Sequence, residues 1–372
     1  MARSLFRVTT FIAAFVLGCA PPPSTQTDSG TPAPAPGQPT TPERVNSTWP
    51  IKTRAHVDLW LHGFAMLQDD TTQVPYFRRG YRNQMVTLRN RANVITQLET
   101  NRDRLRARFA INRDLIGAQF LALYFGSWES MEGGIQLFLD AEGDPRRASN
   151  QTAQQIIATF GATFPSPADR DWLRLFFLSL REENDKFYRT YWLQQQRDRA
   201  PVVTRLDSLW ETIHRPKLQR YLNNTQIEAG TFLLSLPLDG EGRTITGGRE
   251  TNTIAVSFPE TPAAAVEAIY VFAHEAIIPV SSVAVSDNVT PTEQRAGLGD
   301  RYTANAAVLG GAMLLKRVAP ELLSGYSSYY LRAANAPSAV ADPMAALERA
   351  FPLPDTIRSA IDRQLEIVLG GI

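Results

Sequence analysis

His274 and Glu275 are adjacent in an apolar stretch, Thr261-Pro-Ala-Ala-Ala-Val-Glu-Ala-Ile-Tyr-Val-Phe-Ala-His274-Glu275-Ala-Ile-Ile278. Residues four apart share one face of a helix. A second imidazole at position 278 would let two rings reach one zinc ion while the intervening glutamate activated a metal-bound water. Position 278 is isoleucine, which has no lone pair to give a metal. A catalytic zinc takes three protein ligands, so His274 alone does not hold one. Asp287, Glu293 and Asp300, in the loop that follows, are the candidates for completing such a site.

The elements that must position this pair are written around it. Thr261-Pro262 is a helix start, because a threonine oxygen accepts an orphan amide and proline tolerates the first helical position. Pro279 ends or kinks the helix beside Ile278. Upstream, Thr231–Pro237, Arg243–Thr246 and Asn252–Phe258 are short β-prone runs separated by the turn residues Asp239-Gly-Glu-Gly242 and Gly247-Gly248. They read as a small antiparallel sheet. Elsewhere apolar residues recur at helical spacing, predicting helices over 54–66, 81–110, 113–127, 129–139, 153–160, 167–195, 201–223, 302–318, 324–333 and 354–369. The fold class is α+β and predominantly helical, with the sheet followed by a helix pair. Residues 46–228 form a helical region and 229–372 an α+β region, which is one domain with it or a second lobe.

A helical lobe, a small sheet and a helix carrying His-Glu after the last strand together resemble the gluzincin type of zinc peptidase, the group that includes thermolysin. The resemblance has its specificity between about Thr231 and Leu315. It implies His274 as the first metal ligand and Glu275 as the catalytic residue, with Ile278 standing where the second ligand belongs. The family's third ligand is a glutamate on a later helix, often in an Asn-Glu pattern. In the corresponding stretch, Arg301–Leu315, Asn305 is followed by Ala306. The strand before the helix would line the cleft as a peptide-binding edge, through Asn252, Ile254, Val256 and Phe258. With two expected ligands replaced, the resemblance implies a peptidase-like domain without hydrolytic activity and without a cofactor, which captures a peptide or protein by strand addition. The alternatives are an active zinc metallohydrolase with other ligands, and a structural scaffold lipoprotein.

The first residues give the setting. Arg3 and Arg7 precede the apolar run Thr10–Gly18, which is too short to span roughly 30 Å of hydrocarbon, and Cys19 follows at once. This is a secretory signal over 1–18. Val16-Leu17-Gly18-Cys19 resembles the bacterial lipobox, which makes Cys19 the lipidated first residue. It is the only cysteine in 372 residues, so no disulfide within the chain competes for it. Ala20 after it implies an outer-membrane lipoprotein facing the periplasm or the surface. Residues 19–45 are rich in proline and almost free of large apolar side chains, a tether of about 3.1 Å per residue where extended. A net charge of +1 with interspersed signs argues against nucleic acid as a partner.

Other residues offer less. His56 and His62, six apart, do not share a helix face. His214, before Arg215-Pro216, suits a helix end as a cation. Trp128-Glu129 and Glu132-Gly-Gly134 read as a turn with carboxylates near an aromatic, a composition found in sugar sites and in ordinary loops. The glycines at 240, 242, 247 and 248 are spaced as hairpin turns rather than a phosphate cradle, and Ser281-Ser282 lacks the glycines of a nucleophile elbow.

Overall fold

Four strands form one sheet: β1 (Ile51–Thr53), β2 (Gly230–Ser235), β3 (Arg243–Thr246) and β4 (Asn252–Ser257), in the order β1-β2-β4-β3. β1, β2 and β4 run parallel, and only β3 runs antiparallel, against β4. The sheet is therefore mixed, not antiparallel as the turn spacing suggests. Strand chemistry explains the arrangement. Phe232, Leu233, Leu234, Ile254, Ala255 and Val256 are apolar in succession and fully buried, the pattern of strands covered on both faces. β3, Arg-Thr-Ile-Thr, is half-exposed and takes the edge. The chain reverses through β3 and returns, so β4 lies parallel to β2 and between β2 and β3.

The computed structural model describes residues 47–68, 73–338 and 341–370. The signal 1–18, Cys19 and the tether 19–45 lie outside the described residues.

Each face of the sheet carries its own core. On one side Leu233 and Ala255 meet α1 (Ala55–Leu67), α2 (Tyr81–Arg91) and α3 (Pro167–Glu183), whose Trp60, Phe64, Met85 and Phe176 are fully buried. Trp60 and Phe176 pack edge to face at 5.1 Å. On the other side Phe232, Leu234, Ile254 and Val256 meet α4 (Ala200–Leu209), α5 (Arg215–Asn224), α6 (Glu267–Ala276), α7 (Ile278–Asn288), α8 (Leu298–Val318), α9 (Leu323–Ala333) and α10 (Asp355–Gly370). Trp49, two residues before β1, belongs to this second core and packs edge-on against Phe272 at 5.2 Å. Elements from both sides of position 228 thus build the same sheet and the same core.

The segment Pro262–Asn288 is long and apolar enough to cross a membrane by composition, with a mean hydropathy of 1.6 in its most apolar window. Its surroundings give the reason for that composition. Of that window 78% is buried inside the protein, where α6 lies under β4 and against α8.

The stretch 81–110 is not one helix. α2 ends at Arg91, and Asn93 adopts φ +52°. Val94 N donates to Arg89 O and Asn93 N to Asn90 O, the bond pair of a Schellman cap, so asparagine takes the left-handed position that usually falls to glycine. Short helices Gln97–Thr100 and Arg102–Ile111 follow, and residues 113–124 are a 3-10 helix.

Candidate functional site

His274 and Glu275 sit in the last turn of α6, 2% and 1% exposed. His274 Nδ1 lies 3.2 Å from Glu275 Oε1, and its ring stacks on Tyr330 at 5.3 Å. Glu275 Oε1 also accepts from Gly242 N at 3.2 Å, and Oε2 from Thr244 Oγ1 at 3.2 Å. The turn before β3 therefore closes over the pair. Tyr330 Oη donates to Gly240 O at 2.9 Å and holds the turn from its other end. Gly242 has no room for a side chain, since a Cβ there would come 2.3 Å from Ala255 O and 3.0 Å from Glu275 Cγ.

Proline produces the second attachment. Pro279 has no N–H, so the Glu275 carbonyl, four residues earlier, loses its helical donor. α6 ends at Ala276 and α7 begins at Ile278, as the sequence predicts. Thr244 Oγ1 lies 3.3 Å from that orphaned carbonyl oxygen.

Zinc does not fit these residues. Glu275 is engaged on both oxygens by the β3 turn, and Ile278 brings no donor. On α8 it is Gly311 that faces His274: a Cβ on Gly311 would lie 3.4 Å from His274 Cα and 2.3 Å from Tyr326 Oη. Asn305 donates to Pro352 O at 2.9 Å and serves the packing of α8. Glu293 is the N3 partner of Thr290 in a capping box, and Asp287 lies against Ser286. Burial raises Asp300. Among the described residues no three His, Cys, Asp or Glu side chains come together as a metal-holding group.

Asn252, Ile254, Val256 and Phe258 do not form an edge. β4 pairs with β2 from Asn252 to Ser257 and with β3 from Asn252 to Ala255, and Ile254, Val256 and Phe258 are fully buried. Asn252 Nδ2 donates to Ala229 O and Arg249 O. Beyond Ser257 the Phe258 carbonyl accepts from the guanidinium groups of both Arg78 and Arg199. A long apolar strand next to a short polar one was the sequence signal for an interior position.

Glu241 belongs to the same cluster, and the motif does not reveal it. Burial pushes its carboxyl up to about 7; Glu275 adds to the rise, while His274, Tyr76 and Arg243 oppose it.

The remaining histidines are packing residues of different kinds. His56 lies 2.9 Å from Phe125 O. His62, fully buried, meets Tyr81 Oη and Glu183 Oε1, each at 3.1 Å. Glu183 also binds Arg89 at 3.1 Å and Thr96. Burial works to raise Glu183, but these partners outweigh it and hold the carboxyl below its usual range. Asp58, one turn before His62, takes Trp192 Nε1 at 2.9 Å and Leu236 N at 3.2 Å, and burial pushes it up to about 7. His214 does not lie at a helix end: it is in the π-helical turn Trp210–His214 between α4 and α5, and burial lowers its pKa. Trp128 and Glu129 start a helix capped by Ser127 rather than a turn; Trp128 stacks on Phe177 at 4.8 Å, and Glu132 pairs with Arg181 at 3.2 Å.

Comparison with protein-family models, with curated proteins and with solved structures finds no match to this chain.

Proposed function

We propose that this is a lipid-anchored protein of a bacterial cell envelope, held through Cys19, whose folded region binds a peptide or protein and does not hydrolyse it. One observation carries the second half of this reading: the carboxylate that would activate water is held by Gly242 N, Thr244 Oγ1 and His274 beneath a closed turn. A general base needs hydrogen-bond reach to the proton it abstracts, and here the partners are the protein's own. Binding is assigned to β3, because it ends the sheet beside β4 and an edge strand is where an added strand pairs. Arg243 and Thr246 at its ends are exposed.

The test has two parts. Zinc content and peptide hydrolysis are measured on the purified protein after incubation with zinc. A set of unstructured peptides is then titrated into isotope-labelled protein while the amides of Arg243–Thr246 are followed. The reading predicts shifts at those amides with no hydrolysis. Zinc-dependent cleavage lost in Glu275→Gln would overturn it, and binding that leaves those amides unmoved would remove β3 as the site.

A further inference from the structure

We propose that the outward ridge running from Ile95 to Ile111 docks the folded region on an anionic lipid surface. Ile95 and Ile111 are the two most exposed large apolar side chains among the described residues, at 80% and 74%. They mark the two ends of one ridge. Asn101 N donates to Gln97 O and Leu105 N to Asn101 O, so the helical path runs from Gln97–Thr100 through Asn101 into Arg102–Ile111. Leu98 and Leu105, seven apart, are buried beneath it, whereas Gln97, Thr100, Arg104, Ala107 and Ile111, at steps of three and four, are exposed. The rise from Gln97 to Ile111 is roughly 21 Å, and Ile95 leads into its first turn.

The ridge is fixed to the core along its length. Arg108 pairs with Asp169 at 2.8 Å, Trp172 Nε1 donates to Leu105 O at 2.9 Å, and Asn101 Nδ2 donates to Ser179 Oγ at 3.3 Å, all three partners lying on α3. Single exposed apolar side chains scattered over a surface are ordinary. Two at the ends of a rigid ridge give a flat apolar phase two points of entry.

Charge selects the surface. Residues 78–114 hold ten arginines, three acidic residues and no lysine, in a chain whose net charge is +1. The nearby acids are largely engaged: Glu99 is shared by Arg82 and Arg89, Asp169 is taken by Arg108, and Asp103 lies 3.7 Å from Arg102. Arg91, four residues before Ile95, Arg104 within the ridge and Arg113, two residues after Ile111, are exposed. Isoleucine tips among arginines suit a bilayer interface, where the apolar groups enter the acyl boundary and the guanidinium groups meet phosphates. A nucleic acid would meet the arginines but offer the isoleucines no apolar phase. The docking rests on the lipid-anchored reading only for the nearness of a membrane.

Cys19 is the only cysteine, so in a Cys19→Ala background Ile95→Cys, Ile111→Cys and Ile367→Cys each carry one environment-sensitive fluorophore and the anchor plays no part. Ile367, 54% exposed on α10, is the control. Each protein is titrated with phosphatidylglycerol vesicles and with phosphatidylcholine vesicles at low salt. Emission is expected to shift to the blue at 95 and 111 and not at 367, and only on the anionic vesicles. Read from the label at 95, affinity is expected to fall about fivefold in Arg104→Gln, the loss of one cation at an anionic surface, and about tenfold in Ile111→Ser. No shift at either tip, a shift at one tip alone, an equal shift at 367, an equal response to phosphatidylcholine, or unchanged affinity in both variants overturns the proposal. The lipid on Cys19 is read separately from the mass of the wild-type protein, so either reading can fail without the other.

Discussion

The hydroxyl of Thr244 lies 3.2 Å from Glu275 Oε2 and 3.3 Å from the Glu275 carbonyl oxygen, so one side chain of an edge strand serves both the carboxylate and the helix break that Pro279 creates. The two groups are otherwise buried at the end of α6, where an orphaned acceptor costs about 1–3 kcal/mol. Thr244→Val is expected to lower stability by about that amount. Restoring the helical donor with Pro279→Ala should reduce the loss, giving a coupling between positions 244 and 279 in a double-mutant cycle. Urea midpoints measure it, and strictly additive effects would show that the proline and the threonine are unrelated.

Gly311 of α8 packs against α6, where a Cβ would lie 3.4 Å from His274 Cα. Ala at 311 would place a methyl 2.3 Å from Tyr326 Oη, whose hydroxyl donates to Val308 O at 2.8 Å. Overpacking of this kind costs about 1–3 kcal/mol. Removing the obstructing oxygen with Tyr326→Phe should recover part of the loss in the Gly311→Ala background, and thermal melts of the four variants would reveal whether it does.

Asp58 and Glu241 each make a contribution to the pH dependence of stability whose sign follows from their burial. Both carboxyls are raised by burial to about 7 in the folded state, against about 4 in an unfolded chain. Between these values the folded protein holds protons that the unfolded chain has released, so stability falls as pH rises from about 4 to 7. Glu183, held low by His62 and Arg89, acts oppositely and only in more acidic solution. His56, His62 and His214, lowered by burial, act in the opposite sense below about pH 6.5, so the carboxyls are read by comparison: Asp58→Asn or Glu241→Gln is expected to make the change in denaturant midpoint from pH 5 to pH 8 less negative than in the wild type. A profile identical in all three proteins would refute the assignment.

If Glu275 is a structural acceptor, its amide variant should cost stability and nothing else. Glu275→Gln is expected to lower the melting temperature, since Gly242 N, Thr244 Oγ1 and His274 lose a charged partner. A chelator should leave the wild-type melting temperature unchanged. A drop on chelation would point to a bound metal.

Much of the framework is legible in the chain because its causes are local. The period of apolar residues gives α1, α3 and α8, and Thr261-Pro262 gives the start of the segment that leads into α6. Pro279 gives the break between α6 and α7, and Gly240, Gly242, Gly247 and Gly248 mark the turns around β3. The Schellman cap at Asn93 was also within reach, since asparagine readily takes the left-handed conformation. β1 was not: its three residues, Ile51–Thr53, carry no period, and they become a strand because β2, far along the chain, offers an edge to pair with.

The sequence by itself determined that His274 and Glu275 share the end of one buried helix, and that position 278 offers no second ligand. Only the tertiary structure decided what surrounds them. Parallel pairing with β2 put β4 inside the sheet and left β3 at the edge, and the approach of α8 set Gly311, not a carboxylate, against His274. Glu241 and Thr244 joined the pair because the β3 turn folds back over α6. Propensity and spacing act over a few residues, whereas the partners of a buried polar group come from strands and helices far away in the chain, chosen by which faces must leave water together.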